Sequence, residues 1–322
     1  MNHATKTSQL PTIDEIRAAV KRISPEAHRT PILSSSYFNE RLGARLFFKC
    51  ENFQKIGAFK IRGGLNAVRS LSEEEKSRGV VTHSSGNHAQ AISLAGRICG
   101  VQVTIVMPNN APQVKKNAVR DYGGQIVECE PNEPARIAAA EAISQDTGAT
   151  LIHSYNDPRI IAGQGTTALE LLEDLNETPD IVMTPVGGGG LLSGTGISVK
   201  ALSPQTKVVG GEPEMADDAK RSLEAGRIIP VENPQTIADG LKMSLGTLTF
   251  AAIHKNVSQI ITCSEQSIID TMKLVWERMK IIIEPSSAVP LAALLEGNLD
   301  VRGKTVAIIL SGGNVDLNKL PW

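Results

Sequence analysis

Cysteine is scarce in this chain of 322 residues, and the four present, Cys50, Cys99, Cys129 and Cys263, lie far apart. No C-x-x-C pair occurs, which excludes a zinc ribbon and gives no sign of a disulfide framework. That usage suits a reducing cytoplasm. Net charge is equally sparse: 33 Lys and Arg stand against 34 Asp and Glu, a formal balance of −1. No basic field exists to draw in nucleic acid or an anionic membrane. No apolar run approaches the roughly 18 residues needed to cross a bilayer. The opening "MNHATKTSQLPTIDEIRAAV" lacks the apolar core of a secretory signal. Internal repeats, low-complexity tracts and Pro/Gly/Ser-rich linkers are missing too. Two domains in a chain of this length are therefore joined through the middle of the fold, not strung as beads.

What is present is a rhythm. "TIDEIRAAVKRI" opens a helix, with Thr12 and Glu15 at capping-box spacing. "ARLFFKCE" reads as a strand, "GVVTHSS" as a strand running into a loop, "HAQAISLAGRICG" as a helix and "VQVTIVMP" as a buried strand. Helix and strand go on alternating through "APQVKKNAVRDYGG", "QIVEC" and "EPARIAAAEAISQDTG", then "AGQGTTALELLEDL", "DIVMTPV", "GLLSGTGISVKAL" and "KVVGGE". The long helix "SEQSIIDTMKLVWERMK" and the strand "KTVAIILSGGN" close the series. This alternation predicts an α/β fold with a parallel sheet covered by helices on both faces.

Three strand-to-loop junctions carry polar or glycine-rich loops. "TPVGGGGLLSGTG" sets Gly187, Gly188, Gly189 and Gly190 between an apolar strand and a helix. Glycines let the backbone approach a ligand, and the helix start behind them offers free N–H groups, which together make a phosphate cradle. A tight turn alone needs one or two glycines. No frame here satisfies G-x-x-x-x-G-K-[ST] or G-x-G-x-x-G, so a lone phosphate on a small cofactor fits better than a nucleotide loop. In "THSSGNHAQA", Ser84, Ser85, Gly86, Asn87 and His88 suit a carboxylate, although Ser and Asn are also ordinary N-cap residues. His88 has no histidine or carboxylate at triad or metal-ligand spacing and reads as structural. In "LSGGNVDL", Ser311 ends an apolar strand. Ligands of open parallel sheets collect at such strand ends, so the three loops converge on one site. Lys60, in "KIGAFKIRGG", reads as a surface cation or as a nucleophile in a pocket; beside a phosphate cradle and a carboxylate site it points to pyridoxal phosphate.

"GAFKIRGGLNAV", "THSSGNHAQA", "IAGQGT", "PVGGGGLLSG", "TIADG", "VWERMK", "IEPS" and "LSGGNVDL" resemble, in order, the serine racemase and serine/threonine dehydratase family, the fold-type II pyridoxal phosphate enzymes. The likeness runs over residues 12 to 320 and is strongest to serine racemases and hydroxyaspartate dehydratases. It implies two open, twisted, mostly parallel sheets flanked by helices. A small domain, residues 72–154, is inserted in a large cofactor-binding domain, residues 1–71 and 155–322, and closes over the substrate. By the resemblance Lys60 binds the cofactor covalently, Phe59 packs on its ring, Asn87 meets its 3-hydroxyl, Gly187 to Gly190 hold its phosphate and Ser311 meets its ring nitrogen. Ser84, Ser85, Asn87 and His88 belong to the loop that binds the substrate carboxylate. Ser85 matches the serine that faces Lys60 in racemases, so the pair implies two bases.

The resemblance further implies a Mg²⁺ or Ca²⁺ site from Glu212, Asp218 and the Ala216 carbonyl in "GGEPEMADDAK". It implies a homodimer, and ATP as an activator near Lys55, Lys280 and Asn314. Three positions depart from or qualify the mammalian racemase pattern. Tyr155 stands where those enzymes have asparagine, Met243 replaces a serine, and Arg136 keeps an arginine at the site entrance that suits an acidic substrate. The expected activity is cytoplasmic L-serine dehydration with serine racemisation. The alternatives are L-threo-3-hydroxyaspartate or L-threonine ammonia-lyase, more remotely a nicotinamide-dependent oxidoreductase, and a catalytically silent relative.

Overall fold

Runs of β-branched and aliphatic residues form ten strands among the residues, 9–322, that the computed structural model describes. Six build one sheet: β1 (Ile32–Ser34), β2 (Arg45–Cys50), β7 (Ile181–Pro185), β8 (Lys207–Pro213), β9 (Gln259–Cys263) and β10 (Thr305–Leu310). Their order is β1-β2-β10-β7-β8-β9, parallel throughout except for β1, which runs antiparallel along β2. The other four, β3 (Val80–His83), β4 (Val103–Pro108), β5 (Gln125–Cys129) and β6 (Thr150–Leu151), form a second, wholly parallel sheet in the order β5-β4-β3-β6. Every residue of "TVAIIL" in β10 is buried, as in a strand with both faces covered. The capping box at Thr12 and Glu15 forms as its spacing predicts.

Three elements carry little sequence signal. β1 has only three residues. The helix Thr247–Asn256 begins on glycine without a side-chain cap. The helix Pro285–Leu295 holds Pro290 in its interior, where a proline ordinarily breaks a helix. Here the Pro290 ring and backbone pack on Gly211 of β8, so burial outweighs the lost hydrogen bond.

Each sheet has its own core. Phe38, Leu46, Phe48, Met183 and Ile308 pack beneath the larger. Val80, Ile92 and Ile105 pack beneath the smaller together with Ile61, Leu65 and Val68, all from the helix Lys60–Arg69. That helix precedes residue 72, so the smaller sheet's core takes in chain on the amino-terminal side of the 72–154 segment.

The Lys60–Arg69 helix is tied to the larger sheet by charge. The Arg62 guanidinium has no exposed surface. Its Nε and Nη2 donate to the two oxygens of Glu51, at 2.7 and 2.8 Å, at the end of β2. Nη1 and Nη2 donate to Glu170 at 2.8 Å each, on the helix Pro158–Asp174, and further bonds reach Thr166 Oγ1 and His28 O. Buried Lys49 pairs with the same Glu170 at 3.1 Å. Burial alone would raise the Glu170 carboxyl; Arg62 and Lys49 hold it below its ordinary range. Removing the guanidinium leaves two buried carboxylates short of partners. Arg62→Ala is expected to cost about 3–5 kcal/mol, read as the urea midpoint, and Arg62→Lys should recover only a minor part because one ammonium cannot serve both carboxylates.

Candidate active site

Lys60 is the first residue of its helix, and the approach to it is unusual. Ile56, buried and β-branched, adopts φ 61°, a left-handed conformation costing about 1–3 kcal/mol. Its carbonyl accepts from Asn314 Nδ2 at 2.7 Å, and the Phe59 N–H donates to Ser311 O at 3.0 Å. These bonds fasten the segment before Lys60 to the loop after β10. The Lys60 amine donates to Ser154 O at 3.1 Å and lies 5.2 Å from the Phe59 ring centroid. Burial pushes its pKa down to about 8, against the opposing pull of the Glu284 carboxylate. Lys60 is therefore no solvated surface cation.

Next to Ser154, Tyr155 covers the glycine loop. A Cβ on Gly188 would overlap the Tyr155 ring, and one on Gly187 would come 2.8 Å from Leu241 Cα. Gly189 has φ +87° and starts the helix Gly190–Leu202 with no side-chain cap. Gly187 to Gly190 are all buried. A buried, uncapped helix start leaves donor N–H groups in want of an acceptor. That donor set fits a phosphate, with an amine at Lys60 and a buried hydroxyl at Ser311 close by. The loops after β3 and β10 are joined by the bond from Asn314 Nδ2 to Asn87 Oδ1 at 2.8 Å, and the loop after β7 lies against Tyr155, the neighbour of the Ser154 that Lys60 bonds.

Across the cleft, Gly86 starts the helix Asn87–Cys99, again without a side-chain cap. Ser84 and Ser85 are half-buried in the loop before it, and Ser84 Oγ accepts from the Gly86 N–H at 3.3 Å. His88 turns inward: its ring is buried, and Nε2 meets Thr82 Oγ1 at 3.2 Å. Burial, with the Lys60 charge adding, holds its pKa well below the ordinary value, so the ring is neutral. Asn87 Nδ2 donates to both oxygens of Glu284, at 3.0 and 3.1 Å, and its Oδ1 accepts from Asn314 Nδ2 at 2.8 Å. Glu284 lies within the motif "IEPS", but a single acid with no periodic neighbours carries no role in a one-dimensional reading.

Two further histidines line the roof. The His153 ring packs edge-on against His83 and Tyr155, and its Nδ1 accepts from the N–H groups of Tyr155 and Asn156. Burial lowers its pKa to about 4, so it stays a neutral brace for the turn that holds Ser154. The charge of Arg136 bears on both His83 and Tyr155, and its buried Nε has no hydrogen-bond partner. Met243 is half-buried.

Glu212 and Asp218 are both fully buried. Glu212 accepts from the N–H groups of Ala219 and Lys220 at 2.9 Å each, whereas neither carboxylate oxygen of Asp218 has a partner. Burial, with mutual repulsion, raises Glu212 well above its ordinary value, and burial brings Asp218 up to about 7. Orphaned carboxylate oxygens fit a cation, although no cluster of three side-chain ligands occurs among the described residues. The nucleotide candidates are less closely joined. Lys55 pairs with Glu26 at 3.4 Å, Asn314 is spent on Ile56 and Asn87, and Lys280 is exposed with φ 59°.

A family model described as "Pyridoxal-phosphate dependent enzyme" matches residues 23–312. The chain is 50% identical to a beta-hydroxyaspartate dehydratase of Paracoccus denitrificans, over 97% of this chain and 99% of the other. It is 49% identical to a serine racemase of Dictyostelium discoideum, over 96% of each. Among solved structures, a maize serine racemase superposes with a TM-score of 0.94 at 43% identity, covering 96% of this chain and 95% of that one.

Asp218 has a folded pKa of about 7, above the roughly 3.9 of an unfolded chain. A carboxyl raised in this way lends stability at low pH that is lost as pH rises through the folded value. In chelator the wild-type protein should lose stability between about pH 4 and 7, while Asp218→Asn is flatter and melts roughly 5 °C higher at pH 8. Millimolar Mg²⁺ or Ca²⁺ should raise the wild-type Tm and leave that of the variant unchanged. Identical pH curves for both proteins would refute the assignment.

Proposed function

The chain belongs to the pyridoxal-phosphate dependent enzyme family, and from that premise we propose that it is an L-serine ammonia-lyase that also racemises serine at the same site. The observation that carries this reading is the Lys60 amine, bonded to Ser154 O at 3.1 Å and lowered by burial, next to the Tyr155 ring that covers the glycine loop before the uncapped helix Gly190–Leu202. Bound pyridoxal phosphate supplies an electron sink for the α-carbon, a moderate one because the neutral hydroxyl of Ser311 at its ring nitrogen does not enforce a positive ring. Phe59 offers the flat face, and the N–H groups of Gly187 to Gly190 receive the phosphate.

The chain's own residues then divide the work. Ser84, Asn87 and the open start of the Asn87–Cys99 helix hold the substrate carboxylate through donors. His88 contributes through its place at that helix start, since its ring is committed to Thr82. With its pKa near 8, the Lys60 amine accepts the α-proton on one face. The electron pair of the broken Cα–H bond forms a Cα–Cβ double bond as the Cβ–O bond breaks, and the proton held on the Lys60 amine passes to the departing hydroxide, which leaves as water. The released enamine hydrolyses to pyruvate and ammonia. Ser85 serves the opposite face, where returning a proton inverts the α-carbon.

Closure of residues 72–154 as a small mobile domain is supported by the polar character of the cleft contacts, Asn87 to Glu284 and Lys115 to Asp239 at 2.7 Å. A homodimer is supported by exposed Phe53 and Ile282, on loops joined by a bond from Asn52 Nδ2 to Ile282 O. The proposal includes Mg²⁺ or Ca²⁺ at Glu212, Asp218 and the Ala216 carbonyl. It also includes ATP at Lys55, Lys280 and Asn314. A cytoplasmic location accords with four free cysteines and with the lack of any helix, among the described residues, long and apolar enough to cross a membrane. A second reading, 3-hydroxyaspartate as substrate, is favoured by the unpartnered Arg136 Nε, which suits a distal carboxylate.

The test is a turnover panel of L-serine, D-serine, L-threonine and the 3-hydroxyaspartates, scoring oxo acid and enantiomer separately. Serine is expected to lead; at least a tenfold higher kcat/KM for a hydroxyaspartate, abolished by Arg136→Ala, would establish the second reading instead. Ser85→Ala should abolish L-to-D conversion and elimination from D-serine while keeping a substantial part of elimination from L-serine. The protein should stay folded, since one loop hydroxyl is worth about 1 kcal/mol. Equal losses from both enantiomers, by chiral chromatography beside an oxo-acid assay, would reduce Ser85 to a carboxylate ligand.

A further inference from the structure

Glu284 is buried at the start of the helix Pro285–Leu295, between the helix Asn87–Cys99 and the loop after β10. Its backbone N–H donates to Gly312 O at 3.0 Å, and its carboxylate accepts twice from Asn87 Nδ2. The hydrogen bonds around it run in one direction. Asn314 Nδ2 donates to Ile56 O at 2.7 Å and to Asn87 Oδ1 at 2.8 Å, so both of its hydrogens are spent. Turning the Asn87 amide over would set its NH₂ against that of Asn314. The orientation of Asn87 is therefore fixed by an acceptor at Glu284 and a donor at Asn314.

Two glycines make room for this chain of bonds. A Cβ on Gly312 would lie 2.7 Å from Glu284 Oε1, and one on Gly57, at φ +69°, would lie 2.7 Å from Asn314 Oδ1. We propose that Glu284 is a positioning residue for the reaction: ionised, it locks the Asn87 amide in one orientation in the Lys60 site, and protonated, it releases it. The proposal rests on the reading that Asn87 faces the bound cofactor.

The chemistry of the two states differs. An ionised carboxylate only accepts, which matches the two bonds from Asn87. Protonation turns one oxygen into a buried hydroxyl whose hydrogen meets an NH₂ group, an unsatisfied donor in a dry place. The groups that face Glu284 set where this happens. Burial and the Asp239 charge push its carboxyl up, to about 7. Asn87, the Asn314 N–H and Lys115, itself paired with Asp239, hold it back. The Lys60 amine also feels its charge.

Two measurements test this. The first compares cofactor-free wild type and Glu284→Gln by Tm from pH 5 to 8. A carboxyl raised in the folded state lends stability at low pH that is lost as pH rises through the folded value. The variant should therefore gain on the wild type across that range; a constant gap would overturn the proposal. The second follows kcat against pH in the loaded enzyme. The wild type should fall on the acid side, near pH 7. Glu284→Gln should lose this limb, keep only the fall that the Lys60 amine imposes near pH 8 in every variant, and run about tenfold down, with KM within about twofold. Glu284→Asp, which keeps the charge, should keep the limb. An unchanged limb in Glu284→Gln would overturn the proposal. No turnover in any protein would overturn the functional reading, and the Tm gap then decides the present one alone.

Discussion

A guanidinium with no water around it needs an acceptor for each of its five N–H groups, and Arg62 finds them on three separated parts of the chain. Glu51 comes from the end of β2, Glu170 and Thr166 from the helix Pro158–Asp174, and the His28 carbonyl from the amino-terminal segment. Lys49 completes the group, so two buried cations face two buried carboxylates. Such a cluster is a poor source of net stability compared with apolar packing. Its value lies in direction: each bond has one geometry, and Arg62 sits two residues beyond Lys60 on the same helix. Apolar packing would allow that helix to slide or rotate by small amounts. The ion cluster does not, and the Lys60 amine inherits the constraint.

From that anchored helix the site assembles in two directions. Toward the larger sheet, the bonds from Phe59 to Ser311 and from Asn314 to Ile56 align the loop after β10. Toward the roof, the bond from Lys60 to Ser154 places Tyr155 over the glycine loop after β7. The smaller sheet delivers the remaining wall through the loop after β3. Parallel strands put all these loops at one end of each sheet, so the site is a consequence of topology before any side chain is chosen. What the side chains add is a dry environment. Burial depresses Lys60, keeps His88 and His153 neutral and raises Glu284, leaving an amine and a carboxyl poised within about a unit of neutrality.

The parts of this arrangement that are written locally were legible in the sequence. "VQVTIVMP" read as a buried strand and "KTVAIILSGGN" as a strand because both hold apolar runs, and four glycines between strand and helix read as an anion site because a plain turn needs fewer. The resemblance to pyridoxal phosphate enzymes supplied the roles, and the family match bears out the class. Long-range pairings were not legible. Glu284 acquires its meaning from Asn87, 197 positions away, and Arg62 from Glu170, 108 positions away. Pro290 concealed a helix because the packing that tolerates it lies on another strand. Gly188 read as room for a ligand, and the structure adds a second reason, the Tyr155 ring that covers it.

The central claim is that Lys60 is the residue to which pyridoxal phosphate is joined. Sodium borohydride reduction of the cofactor-loaded protein, followed by peptide mass mapping, addresses it directly, because reduction makes the bond permanent. The account predicts one pyridoxyl-bearing peptide, modified at Lys60. A pyridoxyl group on Lys49, Lys55 or any other lysine, or none at all in protein that retains the cofactor's absorbance, would contradict it.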